Sequence, residues 1–392
     1  MEASRRGYEP PAELAGTGAL VRSSADCSGD IKVEVLNTER CPRYAGVKIS
    51  NVEVKESPEW LRNALNLIGL RPINNVVDAT NYVLHSFGQP LHAFDVAHIH
   101  GNKVVVRTAA EGTKFTTLDG VERTLSADDL MICDDEKEMC IAGVFGGLDS
   151  GVTETTKDVF LEVAYFNPVS VRKTARRHAL NTDASFRYER GIDPAATMLA
   201  AKRAAILIRD IAGGRIVGQP QEFCPEVFKP VQVGISYGRI ASLAGKDIGS
   251  GLIKKILVSL DFKFISETDG GAVVEVPSYR VDVTRECDIV EEILRIYGYN
   301  NIELPSNMKV SINSSEHPDP EAVRSTVSNM FASWGFSETM NNSLTKGDYY
   351  DGLKTFPKEN LVKVVNPLSS DLNSMRQTLL LNALEVISYN IN

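Results

Sequence analysis

The chain has 392 residues, of which 43% are apolar and 24% charged, and its formal net charge is −9. A chain this long exceeds one ordinary core, so two or three globular domains are expected, and the acidic balance weighs against non-specific nucleic-acid binding by the whole surface. No apolar run approaches the roughly 18 residues that cross a bilayer, no apolar signal-peptide core opens the chain, and six scattered cysteines without a Cys-x-x-Cys pair fit a reduced, cytoplasmic protein better than a zinc or redox motif.

Residues 1–30 are polar and irregular and read as a flexible lead-in with no fold of their own. Strands follow over 31–36 and 44–54. Ser57 and Pro58 read as cap and first turn of a helix whose apolar face is Trp60, Leu61, Ala64, Leu65 and Ile68, ended by Gly69. A second helix, about 76–85, leads into a Gly-Gln-Pro turn that delivers His92 and Asp95. Residues 103–109 alternate as a strand, and 114–125 read as a hairpin around Asp119-Gly120. Strands 130–133 and 139–147 come next; the glycines of the second allow close approach of a ligand or another strand. After a strand at 159–165, Asn167-Pro168 opens a basic helix to about Ala179. A polar loop at 181–192, a long helix from Asp193-Pro194 to about Ile211, and a strand at 215–217 complete a mixed, largely antiparallel α/β domain over 31–222.

Pro220 and Pro225 mark a linker. Residues 229–304 read as a small unit: strand 231–235, helices 238–244 and 250–260, a hairpin over 263–276, and a helix at 285–297. Two short helices before a hairpin resemble a winged helix. A Ser/Asn/Pro-rich linker covers 305–319. A helix at about 320–334 and strands near 338–344 and 361–365 begin a third domain, 320–392.

The stretch 75–95 carries more polar groups than a helix and turn need for packing: Asp78, Thr80, Asn81 and His92. The stretch 160–193 looks like its partner across one small-molecule pocket, with Glu162 on a strand and Ala184 in the polar segment. No Gly-x-Ser-x-Gly elbow and no Cys–His nucleophile pattern occur, so covalent catalysis is poorly supported. Four of six histidines fall within 85–100, but their spacing suits no zinc site. A non-covalent hydrolytic site fits better, with His92 orienting water or a carbonyl, Thr80 and Asn81 hydrogen bonding, Glu162 reading a polar group, and Ala184 leaving room. The plainer reading makes Thr80 and Asn81 local backbone partners and Ala184 a packing residue.

In the small unit, Asp282 reads as the end of a strand, and Asp288, Glu291 and Glu292 share one helix face. Four converging oxygen ligands suit Mg²⁺ better than zinc. Acidic residues stabilised by a helix N-terminus are the competing reading. The basic run Arg172, Lys173, Arg176, Arg177 and His178, with Arg187 and Arg190, is a local exception to the acidic surface, and a solvated helix face is its plain reading.

The segments VVDATNYVLHSFGQPLHAFD (76–95), IAGVFGGLDSGV (141–152), LEVAYFNPVSVRKTARRHALNTDASFRYERGIDP (161–194) and VPSYRVDVTRECDIVEEILRIYGY (276–299) closely resemble the beta subunits of bacterial phenylalanyl-tRNA synthetases. The likeness runs from about residue 33 to 392. It implies that 31–222 is an editing module that hydrolyses tyrosine misattached to the phenylalanine tRNA, with a pocket at Thr80, Asn81, His92, Ala142, Glu162, Thr182 and Ala184. Glu162 would recognise the phenol and Ala184 would leave space for its hydroxyl. The resemblance also implies that Asp282, Asp288, Glu291 and Glu292 bind Mg²⁺ where an alpha subunit docks, in an assembly of two alpha and two beta subunits. The ATP-dependent ligation belongs to the alpha subunit, so 320–392 reads as the start of a degenerate class II synthetase-like antiparallel core without an ATP site. The family's N-terminal oligonucleotide-binding insertion and C-terminal anticodon-binding domain have no counterpart in this sequence, which reads as a fragment. A non-catalytic assembly or tRNA-binding scaffold is the alternative.

Overall fold

A computed structural model describes residues 31–304, 307, 310–311 and 318–391. The expected lead-in at 1–30, and the expected linker at 305–319 apart from 307, 310, 311, 318 and 319, lie outside the described residues. The chain divides into two compact units, the division falling between residues 304 and 305.

The first unit begins with β1 (Lys32–Val35), β2 (Arg43–Ser50), α1 (Glu59–Leu67), α2 (Asn75–Phe87), β3 (Leu91–Asp95), β4 (Lys103–Thr108), β5 (Lys114–Thr116), β6 (Glu122–Thr124), β7 (Leu130–Cys133), β8 (Glu138–Ile141) and β9 (Phe145–Gly146). It continues with β10 (Asp158–Tyr165), α3 (Pro168–Arg177), α4 (Asp183–Tyr188), α5 (Thr197–Ala212) and β11 (Arg215–Phe223). Two larger sheets form, ordered β1-β4-β7-β8-β9 and β11-β2-β10-β3, and β5 and β6 make a separate antiparallel pair. Only β1 and β4 pair in parallel.

The layers follow from the period of β10, whose residues alternate between faces. Val159, Leu161 and Val163 join a core with Val76, Ala79 and Val83 of α2 and the alanine-rich face of α5. Phe160 and Ala164 point the other way, into a core with Met131, Ile132 and Ile141 of the first sheet. Each fully buried Val, Leu or Ile contributes about 1.5–3 kcal/mol, so both cores hold β10 in register.

Several expectations need correction. Ser57 does not cap α1, whose N-terminus lacks a side-chain cap. Its hydroxyl instead donates to buried Asp78 at 2.5 Å, and satisfying an enclosed carboxylate outweighs capping an exposed helix end. The polar loop contains helix α4, capped by Thr182. The long helix starts at Thr197, after a turn in which Asp193 accepts from the Ala195 amide. Strand β11 runs through Pro220, tolerated because the pairing with β2 shifts register between Val217 and Gln221. Residues 139–147 are two strands joined by a turn at Ala142-Gly143-Val144.

The unit ends with β12 (Gln232–Ser236), α6 (Tyr237–Ala244), α7 (Ser250–Ser259), β13 (Lys263–Thr268), β14 (Gly271–Glu275) and α8 (Glu286–Tyr297). The sheet order β12-β14-β13 packs against these helices around Ile240, Leu257, Val274 and Ile293. Asp282 lies in a turn between β14 and α8, not on a strand. The second unit holds α9 (Pro320–Ser333), the antiparallel pair β15 (Leu344–Thr345) and β16 (Ser374–Met375), and α10 (Leu380–Asn390). The strand expected near 361–365 is reduced to one bridge, Lys363 to Ser374. The whole is a mixed α/β fold with several, mainly antiparallel sheets.

Candidate functional site

Helix α2 is fixed at both ends. The Asn74 side chain accepts from the amides of Val76 and Val77, and Gly88 closes the helix at φ 71°. Asn75 and Asp78 are fully buried fasteners: Asn75 donates to the Glu53 carbonyl at 2.9 Å, and Asp78 accepts from Ser57 and the Ile73 amide. Asp95 likewise accepts from the Thr156 hydroxyl at 2.6 Å. Asn81 is left on the face of α2 that looks into a cavity of about 200 Å³.

That cavity brings together Asn81, His92, Glu162, Thr182 and Ala184. Strand β3 pairs with β10 so that His92 stands directly opposite Glu162. Side chains of such a pair leave the same face, their Cβ atoms about 5 Å apart. Thr182 ties α4 to the cavity wall, donating from its hydroxyl to the Val144 carbonyl at 2.8 Å. Ala184, in the first turn of α4, presents only a methyl group. Gly146 makes room for the imidazole: a Cβ there would lie 2.8 Å from His92 Cε1 and 2.9 Å from Leu118 Cδ1.

Two expected residues are not at the cavity. The Thr80 hydroxyl donates to the Val77 carbonyl at 2.7 Å, the local bond that a helical threonine forms readily. Ala142 is buried beside Gly143, which does line the cavity.

The electrostatics are set by exclusion of water. Glu162 is 4% exposed, and burial pushes its carboxyl up to about 8. Burial lowers His92 to about 4, so its imidazole is neutral at neutral pH. Glu162 Oε1 and His92 Nε2 are enclosed and have no hydrogen-bond partner. Leaving such an atom unpaired costs about 1–3 kcal/mol. Two of them facing one cavity are able to hydrogen-bond a polar group placed there. Cys140 also lines it, but burial, then the nearby Glu162 charge, raises its thiol well above the ordinary range. A thiolate nucleophile is therefore disfavoured.

Sequence reasoning missed Gln89 and Tyr188. Gln89 donates to the Ala164 carbonyl at 2.9 Å, and Tyr188 donates to the same oxygen at 3.0 Å, fixing the cavity floor to β10. A glutamine in a Gly-Gln-Pro turn reads as exposed; nothing local signals that it is buried.

The acidic set of the small unit does not converge. Arg280 donates to both oxygens of buried Glu292 and to both of Asp282. Arg295 adds a bond to Glu292 at 2.6 Å. Asp288 accepts from the Arg285 amide and guanidinium, which hold its carboxyl well below the usual range. Glu291 is exposed. Among the described residues no group of three or more His, Cys, Asp or Glu is arranged to hold a metal ion. Arginines occupy the charge-neutralising positions, so these residues as arranged do not fit Mg²⁺.

Residues 40–213 match the B3/4 domain, 233–299 the tRNA synthetase B5 domain, and 304–392 the phenylalanyl tRNA synthetase beta chain CLM domain. The chain is 55% identical over 381 residues to the phenylalanine–tRNA ligase beta subunit of Bacteroides fragilis (strain YCH46), covering 95% of this chain and 46% of that protein. It is 54% identical over 363 residues to that of Porphyromonas gingivalis, covering 92% and 44%. The relative from Carboxydothermus hydrogenoformans is 42% identical over 365 residues, covering 92% and 45%. The chain thus spans about half the length of the curated relatives it matches.

Proposed function

The chain belongs to the family of phenylalanine–tRNA ligase beta subunits, and on that premise we propose that its first unit hydrolyses tyrosine from mischarged phenylalanine tRNA. The observation that carries this reading is the pairing of Glu162 and His92 across β3 and β10, both unpartnered at one cavity. A pocket built for phenylalanine rejects an added hydroxyl weakly, whereas a second pocket that bonds that hydroxyl selects tyrosine strongly. Glu162 is the group suited to the phenol. Its carboxyl is protonated over much of the neutral range, so it both donates and accepts.

Water is the nucleophile, since Cys140, the one thiol lining the cavity among the described residues, is held protonated. Asn81 and the neutral His92 orient the ester and the water, and Thr182 fixes the wall behind them. Ala184 leaves space for the ring's substituent. Thr80 and Ala142 act one layer back, through helix α2 and the Gly143 turn.

Assembly with an alpha subunit as two alpha and two beta chains, binding of the phenylalanine tRNA, use of ATP and Mg²⁺ by that assembly, and a cytoplasmic location belong to the same proposal. Among the described residues, no helix is long and apolar enough to cross a membrane.

The test is deacylation of tyrosyl- and phenylalanyl-tRNA(Phe) by the chain and by Glu162→Ala and His92→Ala. Selective loss of tyrosine from the tRNA, abolished in both variants, is expected. Wild-type rates in folded variants remove the cavity from the reaction, and a folded chain that hydrolyses neither ester supports a scaffold for assembly instead.

A further inference from the structure

Six buried side-chain polar atoms among the described residues have no hydrogen-bond partner, and three of them lie on adjacent strands: Tyr44 on β2, Glu162 on β10 and His92 on β3. Register places all three on one face. His92 stands opposite Glu162, and Tyr44 stands opposite Ala164, which makes Tyr44 the diagonal neighbour of Glu162. Long and aromatic side chains reach such a neighbour. Gly46, directly across from Glu162, contributes no side chain; the Phe160 ring fills its place.

Of the phenols and thiols around Glu162, all but Tyr44 are already committed. Tyr188 donates to the Ala164 carbonyl, the Cys140 thiol to the carbonyls of Ile141 and Phe145, and the Cys41 thiol to that of Arg43. Tyr44 alone of this group carries an uncommitted donor, and it is fully buried. A buried phenol hydroxyl usually finds a partner. Burial, then the neighbouring Glu162 charge, keeps that phenol protonated, so it stays a donor.

We propose that Tyr44 is a positioning residue for specificity: when a 4-hydroxyphenyl side chain enters the cavity, the Tyr44 hydroxyl donates to Glu162 Oε1 and fixes the carboxyl so that its other oxygen meets the ligand hydroxyl. The terminal torsion of the Glu162 carboxyl is soft, so its oxygens re-aim readily. Tyr44 does not touch the ligand; it sets the angle at which Glu162 does. The inference rests on the tyrosyl-ester reading of the cavity given above.

Tyr44→Phe in the full chain tests it, with kcat and KM measured on tyrosyl- and phenylalanyl-tRNA(Phe). The preference for the tyrosyl ester should fall about tenfold, the size of one hydrogen bond to a carboxyl group, through a higher KM for the tyrosyl ester alone. In a Glu162→Ala background the same change should add nothing. Replacing Tyr44 by 3-fluorotyrosine keeps the fold and strengthens the donor, so it should raise the preference. Unchanged preference in both variants, with Glu162→Ala impaired, overturns the role of Tyr44 and leaves the cavity reading intact. A fully active Glu162→Ala overturns the cavity reading itself.

Discussion

Glu162→Gln keeps the size of the side chain and removes its charge. In the folded chain the carboxyl titrates near 8 against an ordinary 4.5, because the cavity wall excludes water. The folded state therefore holds a proton that the unfolded chain releases. The stabilisation is fully present below about pH 4.5 and is lost as pH rises through about 8. A pKa difference of roughly 3.5 corresponds to about 5 kcal/mol, a ceiling that water entering the cavity reduces. Glutamine does not titrate, so the variant should gain on the wild type steadily across that window. His92 has the opposite sign: its folded pKa is depressed to about 4 from 6.5, so stability falls as pH drops between those values. That contribution is common to both proteins and cancels in the difference. The two tryptophans are Trp60 and Trp334. In a Trp334→Phe background, urea unfolding followed by Trp60, which lies edge-on to Tyr82 at 5.4 Å, reports the first unit. A stability difference that stays flat to within about 1 kcal/mol from about pH 5 to 9 would refute the burial argument.

Gly146→Ala drives a methyl group into His92 and Leu118. It should lower tyrosyl-tRNA hydrolysis at least ~10-fold and cost about 1–3 kcal/mol in thermal unfolding, whereas Gly151→Ala, whose Cβ meets nothing closer than 3.7 Å, should do neither. Arg280→Met leaves Glu292 with only Arg295. Glu292 is held down near 2, first by Arg280, and because Arg295 still neutralises it, loss of the Arg280 bonds costs about 1–3 kcal/mol at neutral pH. Unfolding by circular dichroism with and without Mg²⁺ checks this, and a variant as stable as the wild type removes Arg280 from the role assigned to it.

Much of the first unit was legible because its signals are local. Asn167-Pro168 and Asp119-Gly120 act within a few residues, and α3 and the β5–β6 hairpin lie where they indicate. The failures share a cause: a tertiary partner outbid a local one. Ser57 had a cap to make and made a buried bond to Asp78, 21 positions along. Pro220 marked a linker on local grounds, yet a register shift absorbed it within β11. At the site, the residue types of His92 and Glu162 suggested chemistry, but their facing positions follow from the pairing of strands about 70 residues apart, which composition does not encode. Nothing in the sequence singles out Tyr44, whose unpartnered, buried hydroxyl depends on the packing of two sheets. The acidic face of α8 was visible from its spacing, whereas the reach of Arg280 across to it depends on a turn that local pattern does not specify.

Strand β10 divides labour by parity. Odd positions 159, 161 and 163 answer to the helical layer, and even positions 160, 162 and 164 answer to the inter-sheet space. Of these eight residues only Glu162 lines the cavity, while its even neighbours Phe160 and Ala164 anchor the inter-sheet core. Selection acting on what the cavity accepts can rewrite position 162, while α2 and α5 continue to dock on an untouched surface. Insertion or deletion of a single residue has no such freedom, because it transposes the two alphabets and destroys both messages together.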